Sequence, residues 1–428
     1  MNNSISKVTF RSDYGSIYNG STCKDPNELK SKGSNWTAYM NIVCVLAGSG
    51  TLGIPYAIQL GGWISIPILI LSAIMTYYAN IKLIECLYYD GTRKTSMSDL
   101  AYEAYGNVGF LIIGFFFNAL CIGCPILFLI LAGHSLQELF INVGIDLGIR
   151  TWVYICASIM CIPFILLRSM KEAAFLSVVG TITTAFVIIV ISVTSVVEYP
   201  NNRDKQHEFI NFRNIPLSMA TFSFSYGGNF IFPQVEASLK EPNAWTEILR
   251  FAIFSVTIMY LIIGIPAYLT YGETLRSPVY IGLQPGFPIT ISIIMITIHI
   301  LLALPVYLTV FSVEIENYLG FDTKNLSKIR QHILRILLRI IIMIFTVYIA
   351  VNVPYFSDLM QLFGATGNGV LSVIAPILFW IKLIGWKELN GFKDKCWVIF
   401  MLTFSTCVTV IGTIDALNIL WIDITEKS

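Results

Sequence analysis

Long apolar runs follow one another between residues 36 and 417, and no other feature of the chain limits its fold as tightly. The stretches 63–81, 175–197 and 287–313 carry almost no charge. Each meets the length of roughly 20 residues that crosses ~30 Å of hydrocarbon at 1.5 Å per residue. Only 12% of the chain is charged, against about a quarter in soluble domains, so half the usual solvating charge is missing. The 27 basic and 26 acidic residues nearly cancel, which excludes a nucleic-acid footprint. The chain reads as an all-α integral membrane protein.

Hydropathy places about eleven spans, near 36–57, 62–88, 108–141, 151–167, 174–197, 216–239, 247–271, 287–319, 333–351, 356–383 and 396–417. Residues 1–35 are polar, mixed in charge and without an apolar signal segment, and are expected to form a disordered cytosolic tail. With that tail in the cytosol, about twenty loop and tail lysines and arginines share its side and about six lie opposite. The sequons at Asn2, Asn19, Asn35 and Asn325 then fall on the cytosolic side, where no glycosylation is expected. Cys44, Cys86, Cys121, Cys124, Cys156, Cys161 and Cys407 lie in apolar runs and read as small hydrophobes. The Cys121-x-x-Cys124 pair lacks the four ligands of a zinc site, so no metal or cofactor is expected.

The first five spans (residues 36–198) match the next five (216–383) at an offset of roughly 180 residues, as a repeat requires. Residues 199–215 form the connecting loop, and 384–428 hold the eleventh helix and a short C-terminus. Five is odd, so the second copy enters from the opposite side and the repeat is inverted. The first helix of each copy carries a glycine cluster: Gly48-Ser-Gly-Thr-Leu-Gly53 before Pro55, and Ser223-Phe-Ser-Tyr-Gly-Gly-Asn229 before Pro233. Each glycine costs a helix interior about 1 kcal/mol relative to alanine, so clusters can unwind it. Backbone freed at mid-membrane must line a polar cavity, because unsatisfied amides there cost several kcal/mol each. Glycines that merely allow close helix packing are the competing reading. Matched positions in both repeats favour a substrate site, with a small zwitterion as the natural occupant.

At these residues a resemblance emerges. Gly48-Ser-Gly-Thr-Leu-Gly-Ile-Pro-Tyr-Ala-Ile-Gln-Leu-Gly-Gly-Trp63 resembles the first-helix signature of the amino acid/auxin permease family, which includes vesicular and proton-coupled amino acid transporters. Phe222-Ser-Phe-Ser-Tyr-Gly-Gly-Asn229 with Phe232-Pro233 is similar to that family's sixth helix. The resemblance runs from Trp36 to Leu417. It implies the leucine-transporter fold, with helices 1 and 6 broken, and amino acid substrates moved with protons or sodium. Sodium-coupled relatives place polar residues where this chain has Cys44, Leu301 and Ala303, so a hard cation lacks oxygen ligands here. Many relatives carry histidine where Asn229 stands, and some near Asn41, so those proton relays are missing.

The main chain of Gly48, Ser49, Gly50 and Thr51 is expected to face a substrate carboxylate. The carbonyls of Phe224, Ser225 and Tyr226 are expected to face its ammonium, with Thr297 and Tyr226 side chains as cavity walls. His299 is the mid-span ionisable group and a proton-coupling candidate; a neutral, hydrogen-bonded imidazole is the alternative. Glu236 is a second coupling candidate, with helix-end capping or a salt bridge to Lys240 as its alternative. His134 reads as structural, and Arg335 and Arg339 as snorkelling anchors.

The expected function is proton-coupled, alternating-access transport of small or medium neutral amino acids. A sodium-coupled carrier and an amino acid sensor signalling through the N-terminal tail are the alternatives. No enzyme motif is present. Span length allows a plasma membrane or a vacuolar or lysosomal one.

Overall fold

The computed structural model describes residues 34–427 except 95, 142, 167–172, 230, 320–327 and 390. Residues 1–33 of the expected tail and the sequons at Asn2, Asn19 and Asn325 lie outside the described residues; the tail's expected last residue, Asn35, instead opens the first helix, which Ser34 caps.

Among the described residues ten helices are long and apolar enough to cross a membrane. The remaining expected span, the sixth, is present as two pieces, Ile215–Ser225 and Phe232–Ala237. Neither piece could cross alone, since 30 Å requires about 20 residues. The first span is also interrupted. Its helix Asn35–Leu46 gives way to a tight turn over Ser49–Gly53 and resumes as Ile54–Gly61. Both interruptions fall on the glycine clusters, and both second halves begin with proline near their start, where its missing N–H is harmless.

The third span adds a surface segment that hydropathy does not detect. Its helix begins at Met97, turns at Gly106 (φ 64°) and continues to Ile141. Ser96 and Asp99 cap its start reciprocally: the Asp99 amide donates to Ser96 Oγ at 3.1 Å, and the Ser96 amide to Asp99 Oδ2 at 3.1 Å.

Burial divides the spans by position. Within the most apolar window, 72% of the first span and 67% of the third are buried, against 28% of the fourth and ninth and 22% of the eleventh. The outer spans show apolar side chains such as Ile162, Ile344 and Ile414 on their surface. In water that would be an aggregation hazard; in hydrocarbon it is the expected lipid face.

Side-chain contacts gather at two faces. The face where the first span begins, here the N-terminal face, holds the Arg93–Glu236 pair and the Trp380–Glu85 hydrogen bond. The far face holds Tyr271–Glu198 and His207 against the Tyr268 carbonyl. Arg339 departs from the snorkelling expectation. It is 6% exposed, pairs with the equally buried Glu316 at 3.2 Å, and donates to the Phe164 carbonyl at 2.8 Å. Arg335 also reaches Glu316, at 3.3 Å. A charge at this depth finds a carboxylate and a helix-end carbonyl in place of water, which ties the fourth, eighth and ninth spans together.

Candidate functional site

The two interruptions touch. A Cβ placed on Gly50 would lie 2.7 Å from Ser225 Oγ and 3.0 Å from Ser225 Cα, so the main chains meet where the first span lacks a side chain. The Ser225 hydroxyl sits 3.3 Å from the Gly50 carbonyl and 2.8 Å from the Thr221 carbonyl. Further along, Gly53 faces Thr221 and Met360, and Gly61 faces Ser218. The two readings of these glycines therefore coincide. The cluster unwinds the helix at one end and permits close packing at the other.

Freed backbone groups are handled asymmetrically. Ser49 and Gly50 open the tight turn, so their amides have no carbonyl within it to bond. Among the described residues they donate to no other backbone carbonyl either. The carbonyls fare differently. The hydroxyl of Tyr260, a fully buried residue of the seventh span Trp245–Tyr271, lies 2.6 Å from the Leu46 carbonyl and 2.7 Å from the Ser225 carbonyl. One phenolic proton is thus shared between the last carbonyls before each break. Tyr260→Phe leaves both carbonyls without it, at about 1–3 kcal/mol. We expect uptake to fall roughly 10-fold with the protein still monodisperse on size exclusion; an unchanged initial rate would show the bridge to be dispensable.

A cavity of about 590 Å³ extends from the breaks. Gly48, Ser49, Gly50, Phe224, Ser225 and His299 line it, so six of the ten sequence candidates gather there. The other four point elsewhere. Thr51 is buried beyond the cavity wall, and the Tyr226 hydroxyl bonds Thr257 at 2.9 Å. Thr297 donates to the Ile293 carbonyl of its own helix at 2.6 Å. Glu236 is 0% exposed and bonds Tyr88 at 2.6 Å and Arg93 at 3.0 Å, in place of Lys240. His134, read as structural, lies against the Pro354 carbonyl at 3.2 Å and does not line the cavity.

His299 occupies a junction of three spans. A Cβ on Gly180 of the fifth span would lie 2.4 Å from His299 Nδ1 and Cε1, and 2.8 Å from Cys44 Sγ of the first. Only a residue without a side chain leaves room for the imidazole there. Periodicity cannot reveal such a position, because Gly180 sits in an ordinary apolar run.

Among the described residues the cavity reaches toward one face only. Its lining continues toward the N-terminal face through Asn41 and Thr37 on the first span and Gln234 and Ser238 near the sixth, the latter two exposed. Toward the far face the path is closed by backbone. The Trp63 and Ile64 amides donate to the Glu208 and Phe209 carbonyls at 3.2 and 3.1 Å, and the Asn211 amide to Gly61. Gly62, at φ 78°, packs against that same strip of connecting loop. Trp63 then stacks edge-on against Tyr268 at 4.8 Å, and Ser65 bonds Ser218 at 3.2 Å.

The loop that follows the second span braces Arg93. Burial acts to raise the Asp90 carboxyl, but hydrogen bonds from Lys94 and from the Thr92 amide and hydroxyl outweigh it and hold it at about 2. The Asp90 hydrogen bond in turn lifts Lys94 to about 12. Arg93 projects from this loop to Glu236 and to the Pro233 carbonyl.

Comparison with known proteins agrees with this architecture. The family model for "Transmembrane amino acid transporter protein" matches residues 31–417. The chain is 27% identical over 381 residues to amino acid transporter AVT1J of Arabidopsis thaliana, covering 87% of this chain and 88% of that protein. It is 25% identical over 370 residues to the vesicular GABA transporter of Caenorhabditis elegans, covering 84% and 74% respectively. Among solved structures it resembles MhsT in complex with L-phenylalanine, with TM-score 0.58 and 12% identity over 90% of this chain and 99% of that one. It also resembles Mhp1, a nucleobase-cation-symport-1 family transporter, with TM-score 0.53 and 12% identity over 91% and 92%. At such identities these likenesses concern the fold alone. With two broken helices meeting at a cavity, a leucine-transporter-like fold and a family match over nearly its whole length, the chain belongs to the transmembrane amino acid transporter family.

Proposed function

We propose that this protein carries small or medium neutral amino acids across its membrane by alternating access, with protons as the coupling ion. The observation that carries the reading is the cavity at the paired breaks. Its described lining residues include no Asp, Glu, Lys or Arg. A zwitterion needs only the amides of residues 48–50 and the carbonyls near 224–226, whereas a net-charged substrate would enter without a counter-charge.

The choice of proton over sodium rests on the junction of the first, fifth and eighth spans. Cys44, Gly180, His299 and Ala303 meet the cavity there, and their side chains offer none of the oxygen ligands that a hard cation wants. Of the side chains named there, the imidazole is the type whose ordinary charge change falls nearest neutral pH. Glu236 is a weaker coupling candidate, since its buried pairing with Arg93 keeps it out of the cavity.

The positive-inside bias puts the N-terminal face in the cytosol, so the conformation described is open to the cytosol and sealed opposite. The repeats over 36–198 and 216–383 would rock about the breaks to reverse this. A vacuolar or lysosomal membrane fits this arrangement, as does the plasma membrane.

The test is uptake of a panel of radiolabelled neutral amino acids into proteoliposomes under an imposed pH gradient. Accumulation should follow the proton gradient and ignore sodium. In His299→Gln the gradient should lose at least ~10-fold of its driving effect while equal-pH exchange persists. Gradient-driven accumulation that survives in His299→Gln removes His299 from coupling, and indifference to pH in the native protein removes proton coupling altogether.

A further inference from the structure

We propose that Asn368, on the tenth span, contacts the substrate's side chain and selects neutral amino acids that can hydrogen-bond, such as hydroxyl- and amide-bearing ones, over aliphatic ones of equal size. This deepens the transport reading above and rests on it.

The tenth span is not a plain helix. After Phe356–Phe363 it widens into π-helical turns over Gly364–Asn368 and Val370–Ile374. Such widening is rare and is frequently found at functional sites. The sequence that does it, Gly364-Ala-Thr-Gly-Asn-Gly369, has a glycine packed against each neighbour. A Cβ on Gly364 would meet the Ala220 carbonyl at 2.0 Å, one on Gly367 would meet Leu120 Cδ2 at 2.7 Å, and one on Gly369 would meet Thr409 Oγ1 at 2.3 Å. The turn is therefore wedged between the sixth, third and eleventh spans, and Asn368 is its one cavity-lining residue.

Asn368 is 4% exposed, yet its amide makes no hydrogen bond to any described residue. It lies against the sixth-span break: a Cβ on Gly227 would fall 2.2 Å from its Nδ2 and 2.5 Å from its Oδ1. Gly227 is two residues past Ser225, at most ~7 Å of chain. The amide thus stands within one amino acid's length of the groups assigned to the substrate's ammonium. A buried amide with both a donor and an acceptor free, at that distance, matches a neutral polar side chain. An aliphatic side chain in the same place would leave the amide dehydrated and unpaired, and sites of this kind reject the analogue that lacks the polar group.

Competition assays in proteoliposomes test this with near-isosteric pairs, threonine against valine and asparagine against leucine. The native protein should favour the polar member of each pair by about 10-fold or more. Asn368→Leu should erase that preference while valine and leucine stay within about 3-fold of their native inhibition constants. Asn368→Ala serves by the same criterion if the leucine variant does not yield monodisperse protein. A native preference for the aliphatic members, a ratio unchanged in both variants, or an equal loss for all four amino acids would each overturn the assignment. A native protein that carries no neutral amino acid overturns the transport reading and this one with it. Native transport with the ratio intact in both variants overturns only the role of Asn368.

Discussion

Gly50→Ala is expected to lower amino acid uptake roughly 30-fold or more while the protein still inserts and purifies. The added methyl would lie 3.0 Å from Ser225 Cα, a backbone atom that cannot rotate aside. The collision falls where the main chains of the two breaks meet, so relief requires moving the first span away from the sixth. That separation would also lengthen the Ser225–Gly50 bond and strain the Tyr260 bridge, whose two contacts of 2.6 and 2.7 Å leave little slack. Overpacking of this kind costs about 1–3 kcal/mol, and here it falls on whichever conformations bring the breaks together. Gly114→Ala is the control. Nothing lies within 4 Å of its Cβ position, and in a helix interior alanine should if anything help, by up to ~1 kcal/mol. Initial uptake rates at matched protein density decide the matter. Equal rates for the two variants would mean that contact between the breaks is not needed for transport.

The largest effect on stability is expected at Arg93. Arg93→Met should lower stability by about 3–5 kcal/mol, because it strands a fully buried carboxylate. Glu236 is 0% exposed and would keep only the Tyr88 hydroxyl. The converse change is milder. Arg93 is 23% exposed, so in Glu236→Gln it can turn toward water, and the loss should be nearer ~1–2 kcal/mol. The comparison is made on thermal unfolding midpoints in detergent, with the double variant Arg93→Met/Glu236→Leu recovering part of the loss. If the glutamine variant melted lower than the methionine one, the burial asymmetry would not be what governs this pair. The site also bears on transport. Arg93 and Tyr88 fasten the second half of the sixth span to the end of the second, beside the cavity mouth at Gln234 and Ser238.

Several features of the fold could be read directly from residues. The apolar runs dictated membrane spans, because bilayer thickness sets their length whatever surrounds them. The glycine clusters announced two interruptions, since local backbone cost needs no tertiary knowledge. The eleven expected spans are all present among the described residues, with the first and the sixth each divided. Other features depended on distant partners. Gly180 makes room for an imidazole 119 positions away in the chain, yet in its own segment it is one small residue among apolar ones. Tyr260 gave only the general signal that a tyrosine hydroxyl in an apolar span must find a partner. Its partners, the Leu46 and Ser225 carbonyls, become available only because both breaks exist. Arg339 read as an anchor reaching for the surface, since sequence spacing does not reveal that Glu316 and the end of the fourth span sit beside it.

The residues alone determined that the chain crosses a membrane repeatedly, that its first and sixth spans unwind, and that the unwound parts must be kept polar. Those consequences follow from hydrocarbon thickness and from the cost of an unpaired amide, which act locally. Only the three-dimensional packing decided which side chains face the cavity, that Glu236 turns away from it while Asn368 turns toward it, and that one face is open and the other sealed. Such choices depend on contacts between segments far apart in sequence. Helical periodicity gives the face of a helix but not the neighbour that the face meets.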